Sequence, residues 1–119
     1  MRILIVEDNA LIALDLEMQL TEMGCEVIGI SVTAEAAIAK SRQEGPDLAI
    51  VDLQLADGSR GQDVAMALRT EMDIPSVIVS GSLHQVTDDE KATIRPIAML
   101  SKPSLPGELQ NAVVRCEAG

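Results

Sequence analysis

Apolar residues in this chain fall into short runs separated by longer amphipathic stretches. RILIV (2–6), EVIGI (26–30), LAIV (48–51), SVIVS (76–80) and IAML (97–100) have the length and composition of strands. The first, third and fourth lack polar alternation, the pattern of strands covered by helices on both faces. Helical segments with recognisable ends lie between them. Asn9 suits the N-cap of a helix reaching about Met23, with Gly24 as its stop. Thr33 opens a second that ends near Gly45-Pro46, and a third spans about Gln62 to Met72, ahead of Ile74-Pro75. Thr87-Asp88-Asp89-Glu90 has capping-box spacing and starts a short helix that Pro96 closes. A last helix is expected from about Ser104 to Cys116.

Repeated strand–helix units with short connections predict a doubly wound α/β domain with a parallel sheet and right-handed crossovers. Ligands in such sheets bind outside the carboxyl ends of the strands, near the switch in strand order. The informative residues are therefore those that follow each strand. They are Glu7 and Asp8 after the first, Asp52 after the third, Ser80 at the end of the fourth and Lys102 after the fifth. Ser31, after the second, carries no obvious chemistry.

Composition narrows the class. The 119 residues fit one domain, 47% hydrophobic and 24% charged, with no Phe, Tyr or Trp. The core must therefore be built from aliphatic residues and Met. A net charge of −10 argues against direct nucleic-acid binding and against anionic membrane surfaces. Cys25 and Cys116 fit no metal or redox spacing and read as free thiols, and the lone His84 reads as a surface residue. No apolar run approaches the roughly 18 residues of a membrane span, and an acidic pair interrupts the start too early for a signal peptide. A cytoplasmic domain is expected.

Three carboxylates on one sheet edge repel one another unless a cation sits between them. Such hard oxygen ligands suit Mg²⁺, and a carboxylate beside a metal and a lysine stays ionised and nucleophilic. Ser80 adds a hydroxyl donor, so the set fits phosphoryl transfer, where positioning and charge neutralisation dominate. Each residue alone has an ordinary reading. An acidic pair before a helix complements its dipole, an Asp after a strand caps a turn, a Ser bonds its own turn, and a loop Lys is solvated. Those readings do not explain why all of them fall at the same end of successive strands.

VEDN (6–9), VDLQL (51–55), VSG (79–81) and LSKP (100–103) together resemble the receiver domain of response regulators in two-component signalling, over essentially the whole chain. The resemblance implies a five-stranded flavodoxin-like parallel sheet in the order 2-1-3-4-5, with helices on both faces. It implies that Asp52 is the phosphoacceptor, loaded by a histidine kinase. Asp8 would ligate Mg²⁺ directly and Glu7 through water, with Asp52 and the backbone carbonyl of Gln54 completing the protein ligands. Ser80, Lys102 and the backbone of Gly81 would hold the phosphoryl oxygens, and Lys102–Pro103 would be cis. Activity would be limited to the domain's own phosphotransfer and autodephosphorylation, so the chain is a signalling phosphoacceptor rather than an enzyme. Residues 1–119 would form one receiver with no output domain, either stand-alone or excised. It would pass its signal to a protein target, a phosphorelay partner or a phosphorylation-dependent dimer.

The chain also departs from the family. LQLADGSRG (53–61) replaces the usual Met-Pro loop and is similar to receivers of α-proteobacterial general-stress regulators, although IVSGSL (78–83) lacks their Phe-Ala-Thr-Gly pattern. Met99 stands where receivers usually carry Tyr or Phe, so an aromatic ring cannot rotate behind Ser80 as it does in the standard switch. One alternative is therefore a degenerate receiver acting as a constitutive binding module. A haloacid-dehalogenase-type phosphatase would need a second acid at position 54, where Gln54 stands.

The first helix adds a partner surface. Ile12, Leu16, Leu20 and Met23 lie within roughly 80° of one another at about 100° per residue, a core stripe. Leu11, Leu14 and Met18, with Asp15 among them, lie away from it and form a candidate docking face, the one receivers turn toward the kinase helical bundle.

Overall fold

The apolar runs become strands of one parallel sheet, and the three central ones are buried on both faces while the two edge strands stay partly open to water. The computed structural model describes residues 1–105 and 107–119. Its strands are β1 (Arg2–Val6), β2 (Glu26–Ser31), β3 (Leu48–Val51), β4 (Ser76–Ser80) and β5 (Ala98–Ser101), and its helices are α1 (Ala10–Glu22), α2 (Ala34–Glu44), α3 (Gly61–Met72), α4 (Asp88–Ile94) and α5 (Glu108–Ala118). The sheet order is β2-β1-β3-β4-β5, as the resemblance implies. β1 pairs with both β2 and β3, so the strand order reverses there and opens a crevice at its carboxyl end.

Successive residues of each central strand feed opposite layers. Ile3 and Ile5 of β1 pack with Leu16, Leu20, Leu109 and Val113 from α1 and α5. Leu4 and Val6 pack with Ala37, Val64 and Leu68 from α2 and α3. A smaller cluster of Leu53, Ala65, Ile78, Val86 and Ile94 lies under α4, and Met99 packs against it. At about 1.5–3 kcal/mol per buried aliphatic side chain, these layers replace the missing aromatics through number and close packing.

Helix ends follow the sequence in most cases. Asn9 accepts N–H bonds from Leu11 and Ile12, Thr33 accepts from Ala36, and Thr87 and Glu90 form a reciprocal capping box. Three details differ from expectation. α5 begins at Glu108 rather than near Ser104, because Gly107 is left-handed (φ 92°) and can only flank a right-handed helix. β5 runs one residue later than expected, which places Lys102 directly at its end. A turn of 3-10 helix at Leu83–Gln85 precedes α4 and carries His84 on the surface. α3 and α4 end in left-handed Asp73 (φ 52°) and Arg95 (φ 48°), each just before the segments Ile74-Pro75 and Pro96. Among the described residues no helix is long and apolar enough to cross a membrane.

Candidate functional site

Parallel strands point their last residues the same way, and that places the acids and the lysine together at the sheet's carboxyl edge. Glu7 follows β1 and is only 2% exposed, while Asp8 beside it is open to solvent. Asp52 follows β3 and is 7% exposed. One carboxylate oxygen from each of Glu7, Asp8 and Asp52 lies within 4.8 Å of the others. Clustered carboxylates of this kind are the hard oxygen donors that a divalent cation such as Mg²⁺ takes, directly or through water.

Lys102 reaches into this cluster from the end of β5. Its Nζ lies 2.6 Å from Glu7 Oε1 and 3.3 Å from Asp52 Oδ2. The Lys102–Pro103 peptide is cis. Glu7 Oε2 accepts the Asn9 N–H at 3.2 Å, and Asp52 Oδ1 accepts the Leu53 N–H at 2.8 Å. Burial pushes the Glu7 carboxyl above its ordinary pKa. The bonds from Lys102 and Asn9 oppose that shift, while the nearby Asp52 charge adds to it. Burial pulls on Lys102 in the deprotonating direction, but Glu7 and Asp52 outweigh it, so the ammonium lies above its ordinary value and stays charged.

Ser80 is buried, and its Oγ accepts the Ser82 N–H at 3.1 Å. The hydroxyl is bonded within its own turn as an acceptor, which leaves its proton free to donate. The Ser80 carbonyl accepts the Lys102 N–H at 3.2 Å, which ties the end of β4 to the residue after β5. Gly81 is exposed, and a Cβ there would meet nothing within 4 Å. Gln54 lies in the exposed loop after Asp52, where its backbone bridges Arg60. Met99 is partly buried against the cluster under α4.

Two features of the site escape the strand-end inventory. An added Cβ at Gly61 would lie 1.8 Å from the Asp52 carbonyl oxygen, so the N-terminus of α3 presses directly on the Asp52 backbone. The only sequence signal for this is a glycine at the start of a helix. Arg60, one residue earlier, pairs with Glu90 of α4.

On α1 the apolar pattern sorts as expected. Leu16 and Leu20 are buried, whereas Leu11, Leu14 and Met18 are 80%, 54% and 61% exposed. Asp15 is exposed and accepts a bond from Gln19. A groove lined by Leu11, Ile12, Leu16, Val79 and Pro103 connects this face to Lys102.

Residues 3–114 match the model of the response regulator receiver domain. The chain belongs to that family. The receiver is 33% identical over 112 residues to the phyllosphere-induced regulator PhyR of Methylorubrum extorquens, covering 93% of this chain and 41% of that protein. It is 29% identical to the transcriptional regulatory protein PdtaR of Mycobacterium tuberculosis, covering 94% of this chain and 54% of that one. It thus spans about half the length of these relatives, or less. Among solved structures, PhyR from Brucella abortus superposes with a TM-score of 0.85 at 30% identity, covering 97% of this chain and 46% of that one. The signal receiver domain of a diguanylate cyclase from Desulfovibrio desulfuricans gives 0.86 at 28%, covering 97% and 91%. The likeness to a general-stress regulator read from LQLADGSRG agrees with the PhyR matches.

Proposed function

We propose that this receiver accepts a phosphoryl group on Asp52 from a histidine kinase and uses it to change its protein contacts in the cytoplasm. The observation that carries the reading is Lys102 Nζ lying 3.3 Å from Asp52 Oδ2 beside a three-carboxylate cluster. In the transfer, an Asp52 oxygen attacks phosphorus, the bond from phosphorus to the donor nitrogen breaks, and its electron pair returns to that nitrogen. Lys102 neutralises the phosphoryl charge arriving beside Asp52, the Ser80 hydroxyl proton is available to one phosphoryl oxygen, and the Gly81 N–H is free to serve another. Asp8, Asp52 and the Gln54 carbonyl would hold Mg²⁺, with Glu7 through water, and the cation would screen the carboxylates from the incoming phosphate. Leu11, Leu14, Asp15 and Met18 form the face that the kinase docks against. The net charge of −10 directs the output toward protein partners rather than nucleic acid.

Phosphotransfer profiling against candidate kinases with Mg²⁺ present tests this reading, with wild type and Asp52→Asn compared. Wild type is expected to take up one phosphoryl group and the variant none. Stoichiometric uptake by Asp52→Asn would refute the assignment.

A further inference from the structure

Both ends of α4 are tied to the layer of α3 by arginines, but the two tethers are anchored differently. Arg69, inside α3, donates to the Ile94 carbonyl at 2.9 Å and to the Arg95 carbonyl at 3.0 Å, closing off the last carbonyls of α4. At the other end, Arg60 Nη2 pairs with Glu90 Oε2. The remaining Glu90 oxygen accepts the Thr87 N–H at 2.9 Å, and the Glu90 N–H donates to Thr87 Oγ1 at 3.1 Å. One carboxylate thus serves both the ion pair and the capping box.

Arg60 does not belong to α3 proper. It precedes the helix, and its backbone bridges Gln54, two residues after Asp52. The next residue, Gly61, donates its N–H to the Leu53 carbonyl at 3.0 Å. Direct contacts therefore run from the Asp52 loop through Arg60 and Glu90 to the Thr87 cap. The Glu90 side chain is 12% exposed while Arg60 is 50% exposed, so the carboxylate side of the pair is more sheltered from solvent than in the surface pair Arg42–Glu71. α4 has seven residues and buries only Ile94. A helix that short is not stable alone, so its placement depends on what holds its ends.

We propose that Arg60 is a positioning residue that carries occupancy of the Asp52 site to α4. Displacement of the 53–60 loop passes through the Arg60–Glu90 pair to the capping box, and α4 tilts about the end that Arg69 holds. This route needs no aromatic ring. It runs through groups other than Met99, which packs against the cluster under α4. The inference rests on the phosphoacceptor reading of Asp52.

The test uses the whole chain with Mg²⁺ and beryllofluoride, a phosphoryl mimic. Bound fluoride is measured by ¹⁹F NMR, and amide exchange of residues 88–94 is expressed per loaded molecule. Loading is expected to change α4 exchange in wild type by about threefold or more, within the range of local opening equilibria. In Arg60→Ala and in Glu90→Gln, which keeps an acceptor for the Thr87 N–H, the difference between loaded and free protein collapses, and the double variant shows no further loss. A purely structural role would shift exchange equally in the free and loaded states and leave that difference intact. Two outcomes overturn the coupling alone: loaded wild type without any α4 response, or a response in Arg60→Ala as large as in wild type. Failure of wild type to take up beryllofluoride overturns the phosphoacceptor reading, and the coupling with it.

Discussion

Lys102 holds Glu7 more closely than it holds Asp52: its Nζ is 2.6 Å from the nearly inaccessible Glu7 carboxylate and 3.3 Å from Asp52. The lysine therefore serves a structural purpose, because it is the charge that makes burying Glu7 tolerable. Lys102→Ala leaves a buried carboxylate unpaired and is expected to cost about 1–3 kcal/mol of stability at neutral pH. Burial, the largest influence on Glu7, already holds its folded pKa above the ordinary carboxylate value. A raised folded pKa contributes stability that is complete below the unfolded pKa and is lost as pH rises through the folded pKa. The penalty of Lys102→Ala is therefore expected to shrink on acidification through the Glu7 titration. Urea unfolding of both proteins across that pH range measures it, and adding Glu7→Gln to Lys102→Ala is expected to remove most of the pH dependence.

The three carboxylates predict stabilisation by a divalent cation. Whatever binds only the folded chain raises stability by mass action, by about 2.7 kcal/mol at a concentration of 100 Kd. Mg²⁺ is expected to raise Tm above that in Na⁺ at equal ionic strength, and EDTA to reverse the gain. Asp8→Asn removes a charged ligand from the exposed side of the cluster and is expected to abolish most of the effect. An Mg²⁺ response in Asp8→Asn equal to that of wild type would place the cation elsewhere.

The docking face proposed on α1 lets recognition be tested apart from chemistry. Leu14 and Met18 are more than half exposed and contribute little to the core, so Leu14→Ser with Met18→Ser is expected to change stability by less than about 0.5 kcal/mol. The same double variant is expected to slow phosphotransfer from the kinase by about tenfold or more, as befits contacts worth at least about 1.4 kcal/mol to the complex. Uptake from a small phosphodonor such as acetyl phosphate, which needs no docking surface, is expected to stay at the wild-type rate. Parallel losses with both donors would relocate the defect to the Asp52 site.

How far the sequence can be read follows from which interactions are local. Leu48–Val51 is legible as a doubly covered strand because its composition states its environment, and Asn9, Thr33 and Thr87 are legible as caps because their partners lie within three residues. The strand-end rule then brings Glu7, Asp8, Asp52 and Lys102 together without any distance being known. The preference of Lys102 for Glu7 is a different matter. Those residues are 95 positions apart, and which carboxylate the lysine approaches depends on burial that no local pattern encodes. The start of α5 is misplaced for a related reason: Ser104 is a good capping residue, but the left-handed backbone at Gly107 decides where the helix can begin. The Arg60–Glu90 pair, like the Glu7 contact, joins segments that only the fold makes neighbours.

Gly61 gives the strongest single test of how the Asp52 backbone is supported. A Cβ there would sit 1.8 Å from the Asp52 carbonyl oxygen and 2.9 Å from the Leu53 Cα, and neither backbone atom can yield without moving the segment that carries Asp52. The requirement is close approach rather than backbone conformation, since Gly61 is not among the glycines with positive φ. Gly61→Ala is therefore expected to destabilise the fold by about 3 kcal/mol or more, in the range of overpacked cores and above that of surface substitutions. Gly81→Ala supplies the contrast: a Cβ there meets nothing within 4 Å and φ is unexceptional, so a change within about 0.5 kcal/mol is expected. Chemical denaturation of the two variants side by side decides the matter. Equal stabilities would mean that α3 does not press on Asp52 as the 1.8 Å approach implies.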